Sequence, residues 1–279
     1  MPEDTRGLRY VETPPGADAQ SVAAAYWAFD VFELPTDPFV HRVWPHGCVT
    51  LVFVCLGTTL ITTRVHGAML EPYDVPLRLG VRTRGIRFRP ESGAAFLDIA
   101  PARVCDRLVD ACEVLGDAAW ALGEQVAACV DDAAVHRCYD AWIARRLAER
   151  RAREADVLRT SMAHAVRQAV DLLIASNGQQ RMTEVAAAVG VHPRTLQRHF
   201  VSLVGITPKQ FAQVRRGRGM LRRVVEEQLT ERMGWSGVAA ESGYSDQAHL
   251  TREVTRFTHF SPTRLKDRLD IIEHGGLVD

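Results

Sequence analysis

The sequence has six cysteines but no C-x-x-C pair. The paired spacing of a zinc finger is missing, so no structural metal is expected. No apolar run approaches the ~18 residues of a membrane helix. Met1-Pro2-Glu3-Asp4 begins no signal peptide. A cytoplasmic chain with reduced thiols and no membrane partner is therefore expected. There is no Gly-rich phosphate loop, no H-E-x-x-H and no G-x-S-x-G. No catalytic residue, metal site or cofactor is expected, and the chain does not read as an enzyme. Lysine is almost missing: beyond Lys209 and Lys266, every basic residue except histidine is arginine. Arginine favours planar, bidentate recognition over point-charge attraction.

What is present is ordinary in bulk and uneven in detail. The 279 residues are 47% apolar and 24% charged, enough for two cores. Net charge is zero overall. From Ala155 onward there are 17 Lys+Arg against 13 Asp+Glu, leaving 17 against 21 before it. The second half is mildly basic.

Residues 1–20 are polar, hold Pro14-Pro15-Gly16, and read as a mobile arm. From Ala24 the text becomes β-like. Ala25–Phe32 is aromatic and apolar, and Pro45-His46-Gly47 marks a turn. Cys48–Leu56 is a near-continuous apolar run, suited to a buried strand. Thr58–Val65, Val75–Leu79 and Gly85–Phe88 follow, with Gly and Pro between them. This predicts a small antiparallel barrel or sandwich. From Pro101 the period changes: Val104, Leu108, Cys112 and Leu115 keep helical spacing. Further helices are expected at Ala118–Val130 and Ala133–Arg151. The tail ARRLAERRAREAD has almost no apolar face and reads as a helical connection. Val157–Ile174 is the next predicted helix.

The stretch from about Met182 to Leu265 repeats itself. Val185, Ala186, Ala187 and Gly190 recur as Val238, Ala239, Ala240 and Gly243. Leu196, Arg198, Phe200 and Pro208 recur as Leu250, Arg252, Val254 and Pro262. A repeat of about 50 residues marks a duplicated supersecondary unit. Each copy reads as helix, Gly-containing turn, helix. Thr183 and Ser236 are N-cap candidates for the first helices, His192-Pro193 and Ser245 or Asp246 for the second. Leu196, Phe200 and Leu203 form one inward stripe, and Leu250, Val254 and Phe257 the other. Arg and Gln on the outer faces have the right donors for guanine and adenine edges. Between the copies, Pro208 opens a helix to about Gln228. Its ~20 residues span about 30 Å, against a major-groove repeat of about 34 Å. Gly217 and Gly219 within it weaken the helix or permit close packing. Arg215, Arg216, Arg218, Arg222 and Arg223 are phosphate-contact or solvated-face candidates.

GVHPRTLQRHF with GITPKQF, and above all GYSDQAHLTREVTRFTHFSP, resemble the DNA-binding domain of AraC/XylS-type bacterial transcription regulators. The resemblance covers about His164 to Leu269. It implies seven helices and a sequence-specific regulator whose two recognition helices enter successive major grooves of double-stranded DNA. Positions carried over for base contact are Arg194, Gln197 and Arg198, and Gln247, Ala248, His249 and Arg252. Thr195, Ser245 and Thr251 complete the DNA-facing set. His259 stands where the family usually has Gly, so that helix cap departs from the pattern. YWAF at Tyr26–Phe29, the Pro45–Cys48 turn and GIRFRP at Gly85–Pro90 carry a weaker likeness to a cupin-like sensor domain.

The expected architecture is α+β in two domains. Residues 1–150 form a small cupin-like β-barrel with packed helices, as a regulatory domain. Residues 151–163 form a helical linker, and 164–279 an all-α DNA-binding domain. Within the latter lie helix-turn-helix units at 183–204 and 236–258, joined by a linker helix at 208–228. Trp27, Trp44, Phe53 and Arg87 are candidates to line an effector pocket, against a plain core role. Arg87 and Arg89 share one side of a strand and suit an anionic effector or a loop contact. His41, His46 and His66 have no spacing that fixes them as metal ligands. Cys48 with Cys55, and Cys105 with Cys112, read as buried small hydrophobes against a thiol sensor. Implied partners are DNA, a small-molecule effector, RNA polymerase if the chain is an activator, and a second copy in a homodimer. The competing readings are a cupin-like metal enzyme fused to a DNA-binding domain, and a DNA-repair or architectural factor.

Overall fold

A computed structural model describes residues 7–34, 39–151, 157–226 and 229–266. Residues 1–6 of the arm, residues 35–38, residues 152–156 of the expected 151–163 connection, the last two residues of the expected 208–228 helix, and residues 267–279 lie outside that range.

The first half is built on β1 (Leu8–Thr13), β2 (Ala23–Val31), β4 (Thr50–Leu56), β5 (Thr59–His66), β7 (Val81–Phe88) and β8 (Leu108–Asp110). They form one antiparallel sheet in the order β1-β2-β7-β4-β5-β8. β3 (Phe39–Val43) pairs with β6 (Tyr73–Leu77) in a separate two-stranded sheet. β4 is central and buried on both faces, which is why its sequence is a run rather than an alternation.

Strand alternation sorts the side chains. Leu51, Phe53 and Cys55 of β4 join Ile86, Phe88 and Tyr26 on one face. That face is covered by α4 (Asp117–Ala128) and α5 (Asp132–Arg151), which bring Leu122, Val126, Tyr139, Trp142 and Ile143. Phe53 stacks on Tyr139 at 6.0 Å. Gly123 lets α4 approach: a Cβ there would lie 2.6 Å from a Leu60 methyl. Polar ties close the layer. The buried Arg84 guanidinium grips Asp30 at 2.6 and 3.1 Å and reaches Asp132 of α5 at 3.2 Å. Tyr26 donates its hydroxyl proton to Asp140 of α5 at 2.6 Å. On the opposite face, Phe29, Phe39 and Leu77 are buried together, with Tyr10 and Trp27 partly buried against them.

Three expectations need correction. No closed barrel forms among the described residues: the six-stranded sheet stays open. β3 and β6 spend their ladder on each other, β8 is three residues long, and Pro76 in β6 offers no N–H for a further partner. The arm contains a strand, since Leu8–Thr13 pairs along Thr13↔Tyr26 to Leu8↔Val31. Pro101–Leu115 is not one helix. It is α2 (Pro101–Val104), then β8, then α3 (Cys112–Leu115). Asp106 takes a left-handed backbone (φ 54°), and β8 finds hydrogen bonds on β5. The four-residue spacing there is coincidental, as the exposed Leu108 shows.

The second half is helical: α6 (Val157–Ala175), α7 (Met182–Ala188), α8 (Pro193–Val204), α9 (Pro208–Glu226), α10 (Leu229–Glu241), α11 (Gln247–Thr258) and α12 (Pro262–Lys266). In the first half, α1 (Gly93–Phe96) follows β7 and precedes α2. One core joins Val166, Val170 and Leu173 to Leu196, Phe200 and Phe211. A second joins Leu221, Val238, Leu250, Val254 and Phe257. Each core admits residues of the first half: Ala68 enters the former and Trp44 the latter.

Burial keeps three histidines of the first half neutral. It lowers His41 and His66 to about 4. His46 is pushed down by burial, then by Arg87 and Arg218, and its Nδ1 accepts the Cys48 N–H at 3.1 Å. Unfolded histidines take a proton near 6.5. Between pH 6.5 and about 4 the unfolded chain therefore binds more protons, and folding stability falls as pH falls. Urea melts across this window should show a declining midpoint, and His41→Asn should flatten the slope. A midpoint independent of pH from 6.5 to 4.5 would contradict the burial of these rings.

Candidate nucleic-acid interface

The two expected reading units are present, each as a helix pair. In the first, α7 stops at Gly190, whose φ of 68° suits glycine. His192 then caps α8: its Nδ1 accepts the Arg194 N–H at 3.3 Å, with Pro193 in the first turn. In the second, Gly243 (φ 73°) ends α10. Asp246 caps α11 through its carboxylate, which accepts the His249 N–H at 2.7 Å. That bond, with the Ser245 hydroxyl, holds the Asp246 carboxyl below its ordinary range. α8 and α11 bury Leu196, Phe200 and Val204, and Leu250, Val254 and Phe257.

Their other faces are open. Arg194, Gln197 and Arg198 of α8 are exposed, with Thr195 half-buried beside them. On the second unit Ser245, Gln247, Ala248 and Arg252 are exposed, with His249 and Thr251 half-buried. The equivalent residues Arg198 and Arg252 make no salt bridge among the described residues. Local bonds order part of the second face. Ser245 Oγ lies 3.1 Å from His249 Nδ1, Thr251 donates to the Gln247 carbonyl at 2.8 Å, and Ser236 donates to Gln247 Oε1 at 2.8 Å.

Two cap assignments change. Thr183 lies inside α7, whose start is closed instead by Glu184 accepting the Arg181 N–H at 3.3 Å. Ser236 lies inside α10, after a break at Gly234 (φ 67°), and serves Gln247 rather than a helix end.

α9 joins the units by packing. Its Phe211 meets Phe200 of α8 at 5.7 Å. Six positions on, Gly217 receives the Phe257 ring of α11: a Cβ there would lie 2.7 Å from it. Gly219 likewise clears room for Asn177. The two glycines therefore serve close approach within a continuous helix. Most of the α9 arginines are not open to phosphate. Arg215 and Arg218 are buried. Arg216 donates to the Gly178 carbonyl at 2.8 Å, and Arg223 to the Glu241 carbonyl. The helical pattern alone did not show that their face is the packed one.

The sequence reading also missed where the first half touches the reading helices. Arg42 of β3 forms a two-pronged bond to Asp74 of β6 at 2.7 and 2.8 Å. The same guanidinium reaches the Thr258 carbonyl at the end of α11 and lies 4.7 Å over Phe260. Glu71 bonds His259 at 2.7 Å, and Trp44 stacks on Phe257 at 6.4 Å. His259, in a left-handed cap (φ 59°), holds the place where glycine was expected. At α8, the capping Gly205 lies against Pro101.

The four effector-pocket candidates do not gather. Phe53 is in the core beneath α5. Trp27 lies on the other face, stacked on Tyr10 at 6.4 Å. Arg87 is buried and bonds Glu12 at 2.7 and 3.0 Å and Tyr10 at 3.3 Å. Trp44 is among the C-terminal helices. Arg89 does not join Arg87: it pairs with Glu91 and with Asp171 of α6. No cluster of three potential metal ligands occurs among the described residues.

The fold and this surface define a helical module with two helix-turn-helix units on a shared spine. Residues 185–268 match a helix-turn-helix domain family. Residues 11–110 match a domain of unknown function, DUF6597. No curated protein matches the sequence. Among solved structures, the apo form of a single-substitution variant of ToxT from Vibrio cholerae strain SCE256 is similar at 9% identity and TM-score 0.41, over 96% of this chain and 99% of that one. ToxT of Vibrio cholerae O395 bound to (E)-4-(8-methylnaphthalen-1-yl)but-3-enoic acid is similar at 10% identity and TM-score 0.41, over 84% and 98%. At such identity and superposition neither likeness assigns a role to any residue here.

Gly217→Val should force α9 and α11 apart. Overpacking of this kind costs about 1–3 kcal/mol. Chemical denaturation should show that loss, and hydrogen exchange should locate it at the α9–α11 contact. Wild-type stability in the variant would show that the glycine notch is not tight.

Proposed function

We propose that α8 and α11 enter successive major grooves on one side of a duplex and read its sequence through Arg194, Thr195, Gln197 and Arg198, and through Ser245, Gln247, His249, Thr251 and Arg252. The observation that carries this is the equivalence of Arg198 and Arg252: each is exposed, on the outer face of a capped helix, and α9 packs against both helices. The 19 residues of α9 extend about 28 Å at 1.5 Å each, near the groove repeat of about 34 Å. Arginine forks suit guanine O6 and N7, and the amides of Gln197 and Gln247 suit adenine.

The division of labour that fits this reading is a regulatory part in residues 1–150, a helical connection at 151–163 and a DNA-binding part at 164–279. The regulatory part modulates reading through its grip on the ends of α8 and α11. A small effector on the sheet face that carries Trp27 and Arg87, or pairing with a second copy, supplies the input. RNA polymerase is the further partner if the outcome is activation. An effector acts here by binding the two grip states unequally.

Selection of bound sites from random duplexes should return two short conserved blocks about one helical turn apart. Arg198→Ala and Arg252→Ala should each weaken specific binding by about 1–3 kcal/mol and relax preference in a different block. Equal affinity for selected and unrelated duplexes, or unchanged binding by both variants, would overturn the reading.

A further inference from the structure

Six thiols are distributed over the first half. Cys48 lies against the His46 carbonyl, Cys105 against that of Ala68, and Cys112 against the Thr63 hydroxyl. Cys55 is buried under the sheet. Cys129 and Cys138 differ: their sulfurs are 3.6 Å apart. Cys129 ends α4, Cys138 lies in the second turn of α5, and the short corner between the helices carries Val130, which is 91% exposed.

We infer that Cys129 and Cys138 are a modification site, joined as an intramolecular disulfide when the chain meets a hydroperoxide. A disulfide needs the sulfurs about 2 Å apart. The present contact is therefore about 1.5 Å from bonding.

The order of steps follows from access. Cys138 is the more exposed of the two and attacks the peroxide oxygen as thiolate. The O–O bond breaks, hydroxide leaves and takes up a proton, and Cys138 becomes a sulfenic acid. Cys129 then attacks the Cys138 sulfur; the S–O bond breaks and water leaves. For hydrogen peroxide the balance is two thiols and one peroxide to one disulfide and two waters. Burial, and then the Cys138 neighbour, push the Cys129 thiol up to about 11. It is thus a poor attacker in free encounter. Contact with its target compensates, because preset neighbours react at high effective concentration.

The bond would tie α4 to the start of α5. That end of α5 carries Asp132, which holds Arg9 and Arg84, and Asp140, which holds Tyr26 and the Gly16 N–H at 3.2 Å. The staple would therefore bear on the helix that clamps β1 and β2. This inference does not depend on the DNA-reading proposal.

The test treats the folded full-length chain with a modest excess of hydrogen peroxide, quenches with an alkylating agent, and maps peptides with and without reductant. Two of the six thiols should be lost, in one peptide pair linking Cys129 to Cys138, two hydrogens lighter and restored by reductant. The chain should stay monomeric on a non-reducing gel. Cys138→Ser should abolish the link; should that variant fail to fold, Cys129→Ser and the wild-type map decide. Retention of all six thiols, loss spread over the other cysteines, or a link between chains would overturn the assignment.

Discussion

Everything in the reading half depends on one packed spine. Phe211 and Gly217 stand six positions apart on α9; the first meets Phe200 of α8, the second takes the Phe257 ring of α11. Closely packed contacts of this kind do not stretch. Losing a buried phenylalanine contact costs about 3–5 kcal/mol, and turning one unit against the other would disturb both. Smooth bending of a short duplex by tens of degrees costs about 1–6 kcal/mol. On the proposed docking the duplex is thus the softer partner, and deformability between the two contacted blocks becomes part of what the protein selects.

The same spine is held from the other side. Gly47, in the turn before β4, presses on the Phe211 ring, where a Cβ would lie 2.9 Å away. Arg215 and Arg218 are buried on the side of α9 nearest His46 and Arg87. Burial first, and then the charges of Arg87 and Arg218, keep His46 neutral. The grips on the reading helices all fall at their C-terminal ends: Pro101 at Gly205, Arg42 at Thr258 and Glu71 at His259. Arg194 and Gln247 lie at the opposite ends. These contacts and the residues proposed to read DNA at Arg194 and Gln247 occupy separate ends of each helix, so the proposed docking leaves the contacts in place.

The reading half was legible because duplication writes its pattern twice and the turns demand glycine. Gly190 and Gly243 mark two stops that no other residue type would take without strain, and the inward stripes follow from 3.6-residue spacing. What the pattern hid was context. Thr183 and Ser236 are good cap types, but Glu184 and the Gly234 break decide where those helices begin. Arginines on α9 read equally as phosphate contacts or as a solvated face; burial of Arg215 and Arg218 depends on a sheet far away in sequence. In the first half, Val104, Leu108 and Cys112 imitate a helix because local spacing cannot see that β5 offers an open edge. The same blindness grouped Phe53 with Trp27. Their strands are separated in the sheet by β7, and only the register shows that the two side chains face opposite ways.

One ring is shared by three parts of the fold. Phe257 belongs to α11, fills the notch at Gly217 of α9, and carries Trp44 of the first half stacked at 16°. A side chain so placed cannot respond to one neighbour alone. If Trp44 withdraws, Phe257 loses the surface that keeps it seated, and the angle between α9 and α11 is no longer fixed from above. The Arg42–Thr258 and Glu71–His259 contacts are at the rim, where exposed polar pairs are worth little on their own. They set direction, while the aromatic pair adds about 0.5–1.5 kcal/mol beyond the area it buries. On the proposed regulation, a signal in the first half therefore needs no long chain of small displacements. It needs a difference in free energy between Trp44 seated and Trp44 withdrawn, which is also the form any effector's influence must take.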